Sequence, residues 1–379
     1  MSLAFNNNFK VGILGGGQLG RMLIQSGIDF NIPIIVLDPD AHAPCSSLAE
    51  FQHGKLTDYD TVMKFGEQCD IITIEIENVN ITALKTLAKQ GKKVFPQPEV
   101  IELIQDKRTQ KRFYFDNGIP TADFILTENK KDVENNIDFL PAVNKLGKEG
   151  YDGRGVQILS SALDVRRAFD SPGILEKLID FEKEISVIIA RNEQGEVKTF
   201  PAVEMVFHPV QNLVEYLFAP ANISTEIAEK AHAIAHKIIT KLNMVGLLAV
   251  EMFVTKAGSI LVNEIAPRPH NSGHHTIEAN ITSQYEQHLR AILNLPLGDT
   301  TLLAASAMVN ILGEPGYEGL AKFEGMDEVM KLPGVHLHLY GKRFTKPFRK
   351  MGHVTLVDKD ITRLKANTEF VRQILKVKA

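Results

Sequence analysis

The sequence predicts a mixed α/β and α+β protein of three units, and three features of its patterning carry that expectation. Between residues 10 and 110, short apolar runs alternate with helical patterns, the rhythm of a parallel sheet covered on both faces. From Ala122 to about Ala190 the pattern shortens into strands joined by Gly or Asn turns. Beyond Pro296 a third stretch is again rich in short strands. A chain of 379 residues can form two or three such cores. The expected units are 1–110, 111–296 with a smaller subunit at about 122–190, and 297–379.

In the first unit Val11–Leu14, Ile34–Leu37, Ile71–Glu75 and Val94–Phe95 read as strands, with helices at Gln18–Gly27 and Ile81–Gly91. Asp106–Asn117 is a charged helix closed by Gly118 and the helix-hostile Pro120. Val156–Leu159 and Ile185–Ala190 read as antiparallel strands of the smaller subunit. Ser224–Leu242 is an amphipathic helix with Ser224 as N-cap and Glu226 in its first turn. A hairpin follows at 247–265, then a helix over Thr276–Leu293. Ala307–Leu312, Val335–Tyr340 and His353–Val357 read as strands, and Ile361–Leu375 as the last helix.

Composition narrows the class. The chain is 44% apolar and 23% charged, ordinary for a globular protein, and its net charge of −4 offers no basic field to nucleic acid. No apolar run approaches a bilayer span. The first ten residues lack a basic stretch followed by a long apolar one, and there are only two cysteines, Cys45 and Cys69, so a reducing, cytoplasmic location is expected.

Gly15-Gly16-Gly17-Gln18-Leu19-Gly20 follows a strand and opens a helix, and Asp38 ends the next strand. This matches the dinucleotide fingerprint, but its physical content is narrower: glycines let N–H groups approach an anion at a helix N-terminus. A phosphate-bearing substrate is the favoured ligand, with NAD or a tight turn that binds nothing as alternatives.

Glu251 and Glu264 lie nearly symmetrically about the Lys256-Ala257-Gly258 turn, so a regular hairpin sets them opposite one another. Like charges in a cross-strand pair repel. The pair makes sense beside Mg²⁺, which takes few carboxylates and completes its shell with phosphate oxygens. The alternative is two solvated glutamates, against which the apolar neighbours Val250, Met252, Leu261 and Val262 argue. Asn263 points to the other face unless the strand twists. The loop after the hairpin holds Arg268, suited to bidentate carboxylate or phosphate binding, and Ser272, a candidate cap. Its histidines have no zinc spacing. Lys145 to Gly155 carries four glycines and three basic side chains, material for a loop that folds over phosphates or for a plain flexible turn. An extended segment at 175–179 can offer backbone groups to an adenine edge, and Glu184 can take ribose hydroxyls.

Together these pieces resemble the ATP-grasp superfamily. Gly15–Gly20, Glu77-Asn78, Asp106 to Lys111, Gly150–Gly155, Asn263–His274, Tyr340–Lys342 and Arg349–His353 occur in order and closely resemble the N5-carboxyaminoimidazole ribonucleotide synthetase family over nearly the whole chain. The resemblance implies a pre-ATP-grasp parallel-sheet domain, an ATP-grasp domain with a mobile lid, and a small C-terminal domain. It implies ATP and Mg²⁺, two ions, as cofactors, and 5-aminoimidazole ribonucleotide and bicarbonate as substrates, in a homodimer. Lys107 and Lys145 are then expected on ATP phosphates under the loop of Gly150, Tyr151, Gly153, Arg154 and Gly155. Glu176, Lys177 and Ile179 would frame adenine, with Glu184 on the ribose, and His208, Asn263 and Glu264 also at the nucleotide. Glu251 and Glu264 would hold metal. Tyr151, Asp152, Arg268, Asn271, Ser272, Lys342 and Arg349 would surround the ribonucleotide and activated bicarbonate, joined by Gln18 and Glu77, with Asp152 managing the amine proton. The chain departs from the family pattern at Lys107, often arginine, at Glu149 and Val156 in the lid, and at Ile76. Rival expectations are another ATP-grasp ligase, a nucleotide-binding regulator without turnover, and an NAD enzyme.

Overall fold

The computed structural model describes residues 9–148, 155–209, 211 and 213–379. Its first sheet is parallel. β1 (Val11–Leu14), β2 (Ile34–Asp38), β3 (Glu50–His53), β4 (Ile71–Ile74) and β5 (Lys93–Val94) lie in the order β3-β2-β1-β4-β5. β1 and β4 are buried along their whole length, as strands covered on both faces must be, hence their nearly unbroken apolar sequences. The helices of this unit are α1 (Gln18–Asp29), α2 (Tyr59–Glu67) and α3 (Ile81–Lys89). α4 (Pro98–Ile104) and α5 (Lys107–Asp116) lead onward. Asp106 caps α5, accepting the Arg108 N–H at 2.9 Å.

A small antiparallel sheet follows: β6 (Phe124–Thr127), β7 (Ala142–Leu146), β8 (Val156–Leu159) and β9 (Gly173–Lys177), ordered β6-β9-β7-β8, with α6 (Lys130–Asn135) against it through Val133. This sheet ends at Lys177. The strand expected there at Ile185–Ala190 belongs elsewhere: β10 (Phe181–Arg191) pairs with β14 (Gly246–Thr255). The reason is burial. Ile185, Val187 and Ile189 fill a core with Ala231, Ala235 and Ile238 of α7 (Thr225–Lys241), whose alanines let helix and sheet approach closely.

β10 and β14 are central to a nine-stranded sheet, ordered β15-β14-β10-β12-β13-β16-β21-β19 with β11 added to β10. Its other strands are β11 (Val197–Thr199), β12 (Val203–Phe207), β13 (Val214–Ala219), β15 (Ile260–Ala266), β16 (Ser306–Leu312), β19 (Val335–Leu339) and β21 (Lys350–Val357). Because β13 pairs with β16, the strands beyond Pro296 extend the middle sheet rather than founding their own. They keep a separate core: Val309, Ile311, Val354 and Leu356 against Leu364 and Val371 of α11 (Ile361–Ile374). Two short pairs, β17 (Gly319–Leu320) with β20 (Phe344–Thr345) and β18 (Lys322–Glu324) with β22 (Lys376–Lys378), and α10 (Met326–Val329) complete this end.

The helix expected over Thr276–Leu293 is two, α8 (Thr276–Ala279) and α9 (Gln284–Ile292). Asn280 turns extended, and its amide donates to the Thr300 carbonyl at 2.9 Å. Ser283 restarts the helix by accepting the Glu286 N–H at 3.1 Å. The break lets α9 lie on α1: Tyr285, Leu289 and Ile292 share one core with Leu19, Met22 and Leu23, so the first and middle units are fused.

His288 is buried in that seam. Its Nδ1 accepts the Leu247 N–H at 3.2 Å, which leaves Nε2–H to donate to Thr73 Oγ1 at 2.9 Å. Burial holds its pKa down to about 3. As pH falls below the ordinary 6.5, the unfolded chain takes up this proton first, so the contribution is complete above pH 6.5 and drains away toward pH 3. His288→Gln should therefore lower the urea midpoint at pH 7.5 but flatten its decline between pH 6.5 and 4.5, by up to about 1.4 kcal/mol per pH unit. Equal slopes for variant and parent would contradict this.

Candidate active site

The hairpin is not regular, and the irregularity makes the site. From the turn, Val254 opposes Ile260, Phe253 opposes Leu261 and Met252 opposes Val262. Continued, that register would set Asn263 against Glu251. A β-bulge intervenes and Glu264 faces Glu251 instead, with Asn263 the extra residue. The sequence expectation of opposed carboxylates from a regular hairpin is thus corrected in its cause: the bulge supplies the opposition. It also accounts for Asn263, whose Oδ1 accepts from Lys145 Nζ at 3.1 Å.

The charges around the pair are uneven. Lys107 Nζ lies 2.8 Å from Glu264 and holds its carboxyl well below the usual range. Glu251 is pushed up, by burial first and then by Glu264, with His270 Nε2 at 3.5 Å. Glu184, opposite Phe253 in the next strand, is pushed up to about 7 by burial and then by Glu264. No cluster of three or more His, Cys, Asp or Glu that could hold a metal occurs among the described residues. Two carboxylates and an amide oxygen are instead the partial, hard-oxygen donor set that suits Mg²⁺ completed by phosphate oxygens.

Lys107 and Lys111 lie one turn apart on α5, and both ammonium groups turn toward the cleft. Glu176 of β9 receives Lys111 and Lys145, each at 2.6 Å. With two cations it stays ionised, its pKa lowered. Lys111, 2% exposed, shares that carboxylate with Lys145, so burial wins and its pKa falls to about 8. This network ties β7 and β9 to α5 and to β15. It also fixes Glu176 as a lysine anchor, so only backbone at 176–179 is left for an adenine edge. The Lys177 ammonium sits on the Phe139 carbonyl at 3.0 Å, and Ile179 is half-buried. Gly155 has φ +70, and its carbonyl accepts the Leu146 N–H. Gly150, Tyr151, Asp152, Gly153 and Arg154 lie outside the described residues. His208 packs edge-on against Phe348 at 5.4 Å.

The glycine loop is arranged against a phosphate or NAD cradle. Asp38 folds back to accept the Gly16 N–H at 2.6 Å, and Glu75 accepts the Leu19 N–H at 3.2 Å. The α1 N-terminus is thus already met by protein carboxylates. The glycines are needed because a Cβ on Gly15 (φ +104) or Gly17 would collide with the Glu75 carboxylate. Burial pushes Glu75 up to about 7, against the pull of Arg268. Cys45 is fully buried beside this loop, its thiol raised by burial, and serves as packing.

Gln18 opens α1. Arg268 Nε meets Glu77 at 2.8 Å, joining the middle unit to the first. Asn271 and Asn310 exchange amide hydrogen bonds, both 2.9 Å, and Ser272 Oγ meets Ser186 Oγ at 2.8 Å. Both nominated residues are therefore engaged in holding their loop. Lys342 Nζ donates to the Lys350 carbonyl at 2.7 Å, and Arg349 donates to the Phe344 carbonyl at 2.8 Å. Sequence reasoning did not nominate Lys111, Glu75 or Lys350, the last of which partly opposes the upward shift of Glu251. Each had a signal: Lys111 its four-residue spacing from Lys107, and Glu75 and Lys350 their places beside Glu77 and Arg349 in segments the family resemblance picks out.

In order along the chain, three family models match: a ribonucleotide synthetase preATP-grasp domain over residues 9–105, an ATP-grasp domain over 112–285, and a phosphoribosylaminoimidazole carboxylase C-terminal domain over 306–367. Fold and site are those of an ATP-grasp enzyme. The sequence is 38% identical over 355 residues to the N5-carboxyaminoimidazole ribonucleotide synthase of Bacillus subtilis, covering 92% of this chain and 91% of that one. It is 39% identical over 373 residues, 94% of this chain, to the chloroplastic phosphoribosylaminoimidazole carboxylase of Vigna aconitifolia, but spans only 65% of that longer protein. The crystal structure of N5-carboxyaminoimidazole ribonucleotide synthetase from Thermotoga maritima matches with a TM-score of 0.90 at 41% identity, covering 98% of this chain and 99% of that one. The chain belongs to the N5-carboxyaminoimidazole ribonucleotide synthase family.

The Lys111–Glu176–Lys145 network makes a stability prediction. Lys111→Met should cost about 3 kcal/mol in denaturant unfolding, since it strips a partner from a buried carboxylate. Lys111→Met combined with Glu176→Leu should recover part of that loss, since Lys145 then loses its carboxylate but keeps Asn263. Additive costs in the double variant would show that the two side chains are not coupled.

Proposed function

We propose that this chain uses ATP and bicarbonate to carboxylate the exocyclic amine of 5-aminoimidazole ribonucleotide, giving N5-carboxyaminoimidazole ribonucleotide, ADP and phosphate in purine synthesis. The observation that carries the reading is the bulged pairing of Glu251 with Glu264, with Lys107 and Lys145 against the same hairpin. A bicarbonate oxygen attacks the γ-phosphorus and ADP departs, leaving carboxyphosphate. The amine then bonds to the carboxyl carbon of that species, or of CO₂ released from it, phosphate leaves, and the amine proton passes to a base.

Each step asks something of named residues. Lys107 and Lys145 offset charge on the transferred phosphoryl group. Mg²⁺, two ions by family resemblance, would be held by Glu251 and Glu264 and would add Lewis-acid charge at the phosphate oxygens. Arg268, fixed by Glu77, suits a bicarbonate-derived carboxylate. Glu75 and Glu77 are acceptors for the aminoimidazole N–H groups near Gln18, and Lys342 and Arg349 are the cations available to its phosphate. Asp152, in the segment that the family resemblance assigns to a lid, is the proposed base, and closure of such a lid would keep water from carboxyphosphate. Glu184 and His208 are assigned to the nucleotide. A homodimer and a cytoplasmic location complete the proposal. Two buried free cysteines suit a reducing compartment, and no helix among the described residues is long and apolar enough to cross a membrane.

ADP release from MgATP should be slow with bicarbonate alone and rise strongly when 5-aminoimidazole ribonucleotide is added, with a carboxylated product. Glu264→Gln should lower kcat on the order of 100-fold, and Asp152→Asn should keep ATP binding while losing the stimulated turnover. Indifference of ADP release to the ribonucleotide would end this assignment.

A further inference from the structure

The segment that carries Arg268 is gripped by a row of side chains crossing three strands of the C-terminal unit. Asn310 of β16 is the cross-strand partner of His353 of β21, which in turn is the partner of His338 of β19. Each holds the segment. Asn310 exchanges amide bonds with Asn271. His353 stacks on His274, with centroids 4.6 Å apart. His338 stacks on His353 at 4.4 Å with planes 10° apart, and its Nε2 lies 2.7 Å from Glu278 at the start of α8.

Plain core filling accounts poorly for the middle member. His353 is fully buried and bonds through Nδ1 to the Tyr340 hydroxyl at 2.9 Å, yet its Nε2 has no hydrogen-bond partner among the described residues. A buried polar atom without a partner costs stability, so an apolar side chain would fill this space at less cost. What an aliphatic group cannot do is present a flat face to two rings and so fix His274 in orientation as well as distance. Burial holds His274 and His353 far below the usual histidine range, so these two stacked rings are neutral.

We infer that His353 is a positioning residue for the ribonucleotide side of the site: sandwiched between His338 and His274, it sets the 268–275 segment, and through it Arg268, against the first unit. The inference rests on the function proposed above only for the identity of the substrate. On the nucleotide side, Lys107, Lys145 and Glu264 stand on α5, β7 and β15, and the segment reaches the carboxylate pair through His270, whose Nε2 lies 3.5 Å from Glu251, so that side should respond less.

The test uses the Tyr340→Phe background, so that no hydroxyl is stranded, and compares His353→Phe, which keeps a flat ring, with His353→Leu. The leucine variant should raise KM for 5-aminoimidazole ribonucleotide about 10-fold while KM for ATP stays within about 2-fold, and the phenylalanine variant should stay near its parent. Without any substrate, amide exchange at Gly273, His274 and Ile277 should quicken in the leucine variant alone. His338→Leu, at the half-buried end of the row, should give the same pattern more weakly. Leucine performing as well as phenylalanine, or both KM values rising together, would overturn the inference. A parent enzyme indifferent to the ribonucleotide would instead refute the proposed substrate, and the exchange rates would still decide the role of His353.

Discussion

Two carboxylates that face one another across an antiparallel pair repel, and Glu251 and Glu264 face one another only because Asn263 is squeezed out of register. The cleft follows from that one strained arrangement. Its negative charge draws Lys107 to Glu264, adds to the burial that lifts the pKa of Glu251 and Glu184, and leaves a place where added positive charge stabilises the fold as well as the ligand. A protein that only bound a nucleotide would have little use for this repulsion. One that stabilises charge developing on a phosphoryl group needs a site whose charge is already out of balance.

Compensation comes from three elements that are distant in sequence. Lys107 and Lys111 rise from α5, Lys145 and Glu176 belong to the small sheet, and Asn263 and Glu264 to the large one. The small sheet therefore meets the rest of the site through ion pairs and hydrogen bonds, whereas the first unit meets the middle one through the apolar packing of α1 on α9 as well as the His288–Thr73 and Arg268–Glu77 contacts. Polar contacts of this kind can exchange partners with a charged ligand, and an apolar seam cannot. The division of labour suits a rigid floor beneath a part that responds to ATP.

Much of this was legible in the sequence, where local patterning decides the outcome. The apolar runs of β1, β2 and β4, the Ser224 cap and the turn at 256–258 all express short-range preferences. What could not be read depends on contacts between distant segments. The bulge at Asn263 is invisible to periodicity because a single extra residue leaves the apolar pattern of the strand intact. The break at Asn280 was missed because its pull comes from Thr300, twenty residues on. Ile185–Ala190 reads equally well as a strand of either sheet, and only the alanine face of α7 decides between them.

The glycine loop shows how one local pattern can serve opposite electrostatic ends. Its backbone has the geometry of an anion cradle, and the first reading of Gly15–Gly20 as a phosphate site follows correctly from that geometry. The structure, however, places Asp38 and Glu75 where the anion would sit, and the absent Cβ atoms make room for a protein carboxylate. A site lined by Glu75 and Glu77 and braced by Arg268 offers acceptors, so it is matched to a ligand that presents N–H donors. The exocyclic amine of an aminoimidazole is such a ligand, whereas a phosphate would add like charge. On the function proposed above, the ribonucleotide phosphate would be met elsewhere, and Lys342 and Arg349 of the C-terminal unit are the cations proposed for it. On this view the substrate spans the first and third units, and the 268–275 segment between them has to be held firmly, as the row from Asn310 to His338 holds it.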